Sequence, residues 1–432
     1  MAKKIFFWWL RKSAKRTVRR FRPTIIAITG SAGKSMIVEA VATILSLKGS
    51  RTIRTTSADF PDSYRFDEIP LTILREWTGE DISFLASRGG GYAAWRRMRI
   101  WFSIFWAALR NAWFPGGSYP SVLIFEIGLK QSRAIRQALE FIRPDIGVVS
   151  VISDPPPHAE YWDDKEAVLR EKTKIVESLG VSGVAVLNGD EESARDMKNK
   201  TRAKVLTFGF EEKSDCRIIA YENHWEEGGY LSMKLSYGGS VVPMAVPGAL
   251  GRGAAYAAAA ASVVGLVLNI NLVQISEALR NFRYRGGVGV RIIPGIKKTI
   301  ILDGSGHASP ASVREGLELF YEHPAERKVA VLGDMLWLGK YAVSAHEEIG
   351  RRAAKADVLI TVGPRGKFIR EAAERAGMPA NRIYGFDIAS AAGKALQNLL
   401  RKGDAVFITG SKEIGLRGVV EEVRDQRVAE LL

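Results

Sequence analysis

The feature that most constrains this chain is a glycine-bearing turn between an apolar run and a helical pattern, in the segment TIIAITGSAGKS at residues 24–35. A strand that ends at such a turn and continues as a helix directs several backbone N–H groups and the positive end of the helix dipole at one point. Lys34 adds a charge suited to outer phosphates, and the Ser35 hydroxyl suits Mg²⁺. The segment therefore predicts a phosphate-binding loop made of Thr29, Gly30, Ser31, Ala32, Gly33, Lys34 and Ser35.

The spacing of this turn differs from the most familiar form of the loop. That form has a glycine five residues before the final glycine of GK[ST], whereas this chain has Ile28 at that position. An ordinary strand-to-helix turn is the alternative interpretation, but the strand, turn and helix pattern favours phosphate binding.

Composition limits what the rest of the chain can be. A length of 432 residues is enough for two or three domains. The single cysteine, Cys216, excludes an intramolecular disulfide and any metal site built from cysteines. These features fit a reducing compartment such as the cytoplasm.

The net charge of +15 is concentrated in two stretches. Residues 1–22 carry nine Lys or Arg and no acidic residue, and residues 82–125 carry five Arg and no acidic residue. The same stretches hold six of the ten tryptophans, namely Trp8, Trp9, Trp95, Trp101, Trp106 and Trp113. Basic and aromatic residues together are typical of the membrane interface. We therefore expect residues 1–22 and 92–114 to contact an anionic membrane surface.

Residues 92–114 are predicted to form an amphipathic helix within an insertion at 88–117. Arg96, Arg99, Ser103 and Arg110 would share one face, and the other side would carry Trp95, Phe102, Phe105, Trp106, Leu109 and Trp113. The longest uncharged run, 100–109, has ten residues, whereas a spanning helix needs about 20. The pattern predicts peripheral attachment, at the inner face of the membrane. The alternative is a helix packed on its own domain, with arginine stems covering apolar surface. No recognition motif accompanies the charge, so we expect no nucleic-acid partner.

Alternating strand and helix patterns predict an α/β protein. A mainly parallel sheet is expected from strands at 121–128, 145–152 and 184–188, with a helix at 165–179. Residues 216–246 predict a small antiparallel insert, and residues 252–282 predict a return to helix. A second, Rossmann-like doubly wound unit is expected from strands at 299–303, 328–333, 357–363 and 404–410.

These patterns predict three parts of the chain. Residues 1–22 would form a basic N-terminal segment, residues 23–284 a central phosphate-loop ATPase domain, and residues 285–432 a C-terminal domain.

Three side chains are candidates for chemistry beside the loop. Glu126 ends the apolar run SVLIFEIG, and open α/β sheets bind ligands at the carboxyl ends of their strands. It is a candidate Mg²⁺ ligand opposite Ser35, the alternative being a solvated strand-end acid. His158 follows a predicted strand and three prolines, a position better suited to a ligand than to a core. Lys172 lies fourteen residues further on, where a single helical lysine is ordinarily surface charge.

Together with several further motifs, these residues resemble the Mur ligase family, the ATP-dependent amide-forming enzymes of bacterial cell-wall precursor synthesis. The resemblance extends over roughly residues 24–430. It rests on TGSAGKS (29–35), EIPLTIL (68–74), FEIG (125–128), the spacing from His158 to Lys172, LNGDEE (187–192), LDGSGHASPAS (302–312) and VLGDMLWLG (331–339) followed by His346.

The resemblance implies a reaction and a site. Such enzymes phosphorylate a substrate carboxylate with ATP, and an incoming amine then attacks the acyl phosphate, so catalysis relies on positioned cations. Catalytic roles are implied for Lys34, Glu126, His158 and Lys172, with Ser35 and Glu126 holding one Mg²⁺, His158 serving a second, and Lys172 carbamylated by CO₂. Arg291, Asp303 and His307 would contact ATP from the C-terminal domain. The implied substrates are a carboxylate-bearing wall-peptide precursor and an amino acid or dipeptide.

The chain also departs from the family pattern. We expect it to lack the N-terminal uridine-nucleotide-binding domain, with the basic segment in its place and a lipid-linked or surface-bound precursor as substrate. Nucleotide and closure positions of the family are altered at Gly253, Gly289, Gly304 and Thr409. Two alternatives therefore remain open. One is a ligase for another polymer such as poly-glutamate, and the other is a catalytically weak ATP-binding scaffold at the membrane.

Overall fold

A computed structural model describes residues 2–49, 53–55, 68–87, 90–114, 118–128, 134–152, 159–162, 164–226, 228–282, 290–306 and 308–425. Two predicted site residues, His158 and His307, lie outside the described residues, as does Gly289. The described strands form one sheet of nine strands and one of six, so the prediction of an α/β fold with two sheets is confirmed.

The first sheet has the order β2-β3-β1-β4-β5-β6-β7-β8-β9. Its strands are β1 Thr24–Thr29, β2 Ile53–Thr55, β3 Val122–Glu126, β4 Ile146–Val149, β5 Val184–Asn188, β6 Lys204–Gly209, β7 Cys216–His224, β8 Tyr230–Tyr237 and β9 Ser240–Pro247. Pairing is parallel from β2 through to β7 and antiparallel in β7–β8 and β8–β9. The small antiparallel insert predicted at residues 216–246 is confirmed as the strands β7, β8 and β9. Because β7 pairs with β6, these strands extend the same sheet.

Helices cover both faces of this sheet. They are α1 Ala2–Phe21, α2 Lys34–Leu45, α3 Glu68–Leu74, α4 Gly79–Ala86, α5 Tyr92–Trp113, α6 Ala134–Leu139, α7 Lys165–Glu177, α8 Glu192–Asp196, α9 Gly251–Val267 and α10 Leu272–Leu279. The α2, α9 and α10 helices share one core, and α1 and α3 to α7 share another. The helical return predicted at 252–282 is two helices, because the chain turns at Asn269, whose φ is 60°.

The second sheet has the order β10-β11-β15-β12-β13-β14. Its strands are β10 Arg291–Gly295, β11 Thr299–Gly304, β12 Lys328–Gly333, β13 Val358–Val362, β14 Ile383–Phe386 and β15 Ala405–Thr409. Only β10 among these is antiparallel to its neighbour. The flanking helices are α11 Pro310–Glu322, α12 Ala342–Ala353, α13 Gly366–Arg375, α14 Ala389–Leu399 and α15 Arg417–Val423. They lie on both faces, as expected of a doubly wound sheet.

The α1 and α5 helices pack against each other and cover the β1–β3 side of the first sheet. The buried residues of α5 form a stripe that lies between the two faces predicted from the sequence, and they are Ile100, Ile104, Ala108, Asn111 and Ala112. The Trp9 and Phe105 rings lie 5.1 Å apart across the helix pair. This stripe supports the packed-helix interpretation for part of α5, while its aromatic stripe stays exposed. None of the described helices has an apolar stretch long enough to cross a bilayer.

Two substitutions on α5 should separate its buried stripe from its exposed one. Ile104 is fully buried, whereas Phe102 is 68% exposed. We expect Ile104→Ala to lower the free energy of unfolding by about 2–4 kcal/mol, because it leaves a cavity in the core. Phe102→Ala should change it by less than about 0.5 kcal/mol. Urea denaturation followed by circular dichroism measures both values, and equal losses would show that the helix does not pack as described.

Candidate functional site

The turn after β1 lies at the carboxyl ends of the parallel strands. Gly30 has a φ of 149°, and a Cβ atom there would lie 1.8 Å from Ser150 Oγ. Ser31 donates its N–H to the Val151 carbonyl at 2.7 Å, and Ser150 Oγ donates to the Ala32 carbonyl at 2.6 Å. The turn is therefore fastened to the end of β4, and only glycine permits that approach.

Ser35 and Glu126, predicted to share a metal ion, are neighbours. Ser35 Oγ, at the start of α2, donates to Glu126 Oε2, at the end of β3, at 2.8 Å. Mg²⁺ prefers oxygen ligands and keeps waters and substrate phosphates beside one or two carboxylates. Two protein oxygens next to a phosphate loop fit that pattern. No group of three His, Cys, Asp or Glu side chains converges among the described residues, so the fit rests on this oxygen pair.

Lys172 reaches the same turn from α7. Its Nζ donates to Ser31 Oγ at 2.7 Å, and the residue is 1% exposed. Burial, together with the charge of Lys34, places the pKa of Lys172 well below its usual value. The surface-charge interpretation of this lysine is wrong, because the side chain is buried.

Glu191 is a member of this cluster that the sequence reasoning did not single out. Its carboxylate accepts the N–H of Ile152 at 2.7 Å, and burial raises the pKa of Glu191 to about 7, against the opposing effect of Lys172. One sequence feature could have indicated Glu191. It lies in LNGDEE, directly after β5 and so at the ligand-binding edge of the sheet.

A cleft of about 200 Å³ separates the phosphate loop from the second sheet. Its wall on the first sheet includes Gly33, Tyr221, Leu250, Arg252 and Tyr256, and its facing wall includes Val290, Gly304, Glu315, Leu319, Phe407 and Thr409. Gly304 and Thr409, two of the positions where the chain departs from the family pattern, therefore line the cleft. A ligand held by the loop would touch both halves of the chain.

A hydrogen-bonded network orders one wall of this cleft. The Tyr256 hydroxyl donates to Asp190 Oδ2 at 2.7 Å and accepts from Arg252 Nε at 3.0 Å. The Arg252 guanidinium also lies 4.4 Å from the centre of the Phe210 ring. Burial, reinforced by Asp190, raises the pKa of Tyr256. Tyr256 therefore stays a neutral donor, and the wall keeps its shape before any ligand binds.

Arg291 and Asp303, predicted to contact ATP, are bonded to each other. Arg291 Nη2 lies 2.6 Å from Asp303 Oδ2, and Asp303 Oδ1 accepts the N–H of Ser305 at 2.9 Å. This buried carboxylate fixes the start of the loop after β11. Direct contact of either residue with a nucleotide remains a prediction.

The segment VLGDMLWLG approaches the loop that follows His158. His346 Nε2 accepts the N–H of Met335 at 3.0 Å, and Asp334 Oδ1 accepts that of Arg365 at 3.0 Å. The N–H of Glu160 lies 3.4 Å from the Trp337 carbonyl. The two halves of the chain thus meet on this side of the cleft as well.

Known proteins share this sequence pattern and architecture. The chain matches the Mur ligase middle domain over residues 118–265 and the Mur ligase glutamate ligase domain over residues 291–412. It is 25% identical to the UDP-N-acetylmuramoyl-tripeptide--D-alanyl-D-alanine ligase of Mycobacterium leprae, over 92% of this chain and 73% of that protein.

Solved structures agree on the fold. The MurF ligase of Thermotoga maritima in complex with ADP superposes with a TM-score of 0.72 at 20% identity, covering 96% of this chain and 82% of that one. A folylpolyglutamate synthase of Mycobacterium tuberculosis, complexed with ADP, gives a TM-score of 0.63 at 15% identity, covering 96% and 95%. The two matched domains together span more than half of the chain, and the protein belongs to the Mur ligase family.

Proposed function

We propose that this protein is an ATP-dependent ligase that forms an amide bond through an acyl-phosphate intermediate. The observation that carries the proposal is the convergence of three elements on one turn. Ser35 Oγ bonds Glu126 at 2.8 Å and Ser31 Oγ bonds Lys172 at 2.7 Å. A triphosphate at this turn would meet the loop N–H groups, Lys34 and the positive end of α2. Its nucleoside would extend into the cleft.

Metal binding is part of the proposal. Ser35 and Glu126 would hold one Mg²⁺, which neutralises charge on the transferring phosphoryl group. His158 remains a proposed ligand of a second ion. Phosphoryl transfer needs little acid–base chemistry, so Lys34 and the loop N–H groups contribute by orienting the phosphates towards a substrate carboxylate.

Lys172 is proposed to become a carbamate. The lowered pKa of Lys172 favours its uncharged amine. That amine would attack CO₂, forming an N–C bond and releasing a proton, and the product is an anion. The nearby Lys34 would then face a negative charge instead of an uncharged amine, which is a favourable interaction.

The proposed substrates are a carboxylate-bearing wall-peptide precursor and an amino acid or dipeptide, as the names of the relatives suggest. A ligase for poly-glutamate is a second candidate, favoured by the likeness in fold to the folylpolyglutamate synthase along 95% of that chain. A catalytically weak ATP-binding scaffold is a third. The proposed domains are 1–22, 23–284 and 285–432.

We also propose that the protein docks on the anionic surface of the inner membrane face through α1 and α5. Exposed side chains follow one stripe of α5, namely Trp95, Met98, Phe102, Phe105, Trp106 and Trp113, and Ile5 and Trp8 continue it on α1. Their exposed fractions run from 39% to 68%. Exposed apolar patches of this kind mark interaction surfaces.

Basic side chains accompany these exposed rings. Lys12 Nζ lies 5.1 Å from the centre of the Trp8 ring, and Arg16 and Arg99 lie 4.1 and 4.8 Å from the Trp113 and Trp95 rings. Aromatic rings at headgroup depth, flanked by cations, suit an anionic membrane better than a second protein surface.

Amine-dependent turnover tests the ligase. With ATP, a wall-peptide carboxylate and an amine, we expect phosphate release that requires both the carboxylate and the amine. Lys34→Ala should lower turnover at least about tenfold, because it removes a phosphate-binding cation. The exposed Lys204, replaced by Ala, is the matched control. ATP binding without amine-dependent release across a panel of precursors would favour the scaffold.

Lys172→Ala should abolish turnover, and added bicarbonate should not restore it. A short-chain carboxylic acid should restore part of it by occupying the space of the carbamate. In the unaltered protein, ¹³C-bicarbonate should give a carbamate NMR signal that the variant lacks. Full activity of Lys172→Ala would rule out the carbamate.

Vesicle sedimentation tests the membrane surface. The full chain should bind phosphatidylcholine vesicles that contain phosphatidylglycerol, with affinity falling as salt rises. Phe102→Ala combined with Trp106→Ala should weaken binding at least about fivefold. Ile388→Ala, at a remote residue that is 61% exposed, should not. Unchanged binding would refute this surface, and concentration-dependent dimers lost in the double variant would identify a second copy as its partner.

A further inference from the structure

A carboxyl group to which the phosphoryl transfer assigns no role belongs to the same cluster as the buried amine of Lys172. The two groups are linked through the phosphate loop and the stretch of chain that follows β4. Lys172 Nζ donates to Ser31 Oγ at 2.7 Å, and the Ser31 N–H donates to the Val151 carbonyl at 2.7 Å. The next residue, Ile152, donates its N–H to Glu191 Oε2 at 2.7 Å. Each of the two ionisable groups shifts the pKa of the other, so they form one electrostatic unit.

The contact with Ile152 uses only part of the Glu191 carboxylate. Oε2 accepts the N–H of Ile152, whereas Oε1 makes no hydrogen bond to any residue that the structure describes. A carboxylate can accept further hydrogen bonds or a proton at such an oxygen. Burial raises the pKa of Glu191 to about 7, so near neutral pH this group can both take up and release a proton.

We infer that Glu191 receives the proton that is released when Lys172 becomes a carbamate, and that the resulting acid then hydrogen-bonds the carbamate. The inference rests on the proposed function, in which the Lys172 amine reacts with CO₂. The amine nitrogen forms a bond to the carbon of CO₂, and one C–O π-electron pair moves onto oxygen. The N–H proton of the amine is transferred to the Glu191 carboxylate.

Charge balance in the cluster is the physical reason for this assignment. Lys172 becomes an anion while Glu191 becomes neutral, so the total charge of the cluster does not change. Release of the proton to solvent would leave two anions together in a mostly buried place, where desolvation and repulsion are both costly. The neutral acid can instead donate its O–H to the carbamate, which is a charge-assisted hydrogen bond.

The surrounding charges favour both halves of this exchange. Lys34, on α2, disfavours the ammonium form of Lys172, and the same cation would attract the carbamate. Asp190 and Glu315 add negative charge around Glu191 and so favour its protonation. Lys172 opposes that protonation only as an ammonium ion. A carbamate on Lys172 would have the reverse effect and raise the pKa of Glu191 further.

Carbon-13 NMR of the full chain tests the inference, with ¹³CO₂ held at one dissolved concentration while the pH is varied. In Glu191→Gln the ratio of carbamate to unmodified Lys172 should rise about tenfold per pH unit, because each carbamate releases one proton to solvent. In the unaltered protein the ratio should rise likewise below about pH 7 and stay nearly constant above it, where Glu191 is ionised at the start and takes up that proton. The amide oxygen of Glu191→Gln can still accept the Ile152 N–H, so a merely structural role of residue 191 predicts no difference.

Glu192→Gln, at the exposed neighbouring carboxyl group, is the matched control and should reproduce the pH dependence of the unaltered protein. Should Glu191→Gln not fold, the unaltered protein still decides, since a tenfold rise per pH unit continuing above pH 7 would overturn the inference. Parallel curves for the unaltered protein and Glu191→Gln would also overturn it, while their carbamate signal would leave the proposed function standing. A carbamate signal missing at every pH would overturn the proposed carbamate and this inference with it, and amine-dependent phosphate release would then judge the ligase separately.

Discussion

The close approach of Gly30 to Ser150 is the constraint on which the site depends. With a Cβ position only 1.8 Å from the serine hydroxyl oxygen, the first turn can lie against the end of β4 only if residue 30 is glycine. That contact orients Ser31, whose hydroxyl then accepts a hydrogen bond from a fully buried lysine of α7. A steric requirement at one loop residue therefore helps to fix the position of an amine that lies 141 residues further along the chain than its partner Ser31.

Much of this arrangement could be predicted from the sequence, because parallel strands end at a common edge. The position of Glu126 at the end of its apolar run was enough to predict that it lies beside the loop, and in the structure Glu126 accepts a hydrogen bond from Ser35 at 2.8 Å. The burial of Lys172 was not evident from helix periodicity. It depends on α7 packing, through Val168 and Ile175, against the sheet face that carries Ala27 and Phe125, and such packing is a tertiary property that local patterns do not encode.

The buried face of the α5 helix could not be predicted from the sequence either. Its charges and aromatic rings predicted two faces, yet the residues that are buried form a third, mainly aliphatic stripe that also contains Asn111. The Trp95, Phe102 and Trp106 rings are left exposed outside this stripe. Hydrophobicity alone predicts both tryptophan and isoleucine as core residues. Only the packing of the helix shows which of them are buried and which are exposed to a partner. A truncation of residues 1–22 would remove Leu10 and Ala14 from the core, which makes point substitutions the cleaner probe of that surface.

The arrangement of the cleft bears on the positions where the chain departs from the family pattern. Those departures do not by themselves remove the candidate binding site. Its walls belong to two sheets, and their contacts are spread around its rim, from Asn223 and Glu322 at 2.7 Å to Glu160 and Trp337 at 3.4 Å. A binding group can therefore be supplied from either wall, provided that the opposite wall leaves room. Arg252, bonded to Tyr256, and Glu315, close to Gly253, are polar side chains of the two walls that the sequence motifs did not indicate. In the proposed function, backbone groups of the loop would bind the phosphates, and side chains of the two walls would bind the rest of the nucleotide. The residues of the cleft can therefore differ from the family pattern while the loop keeps its geometry.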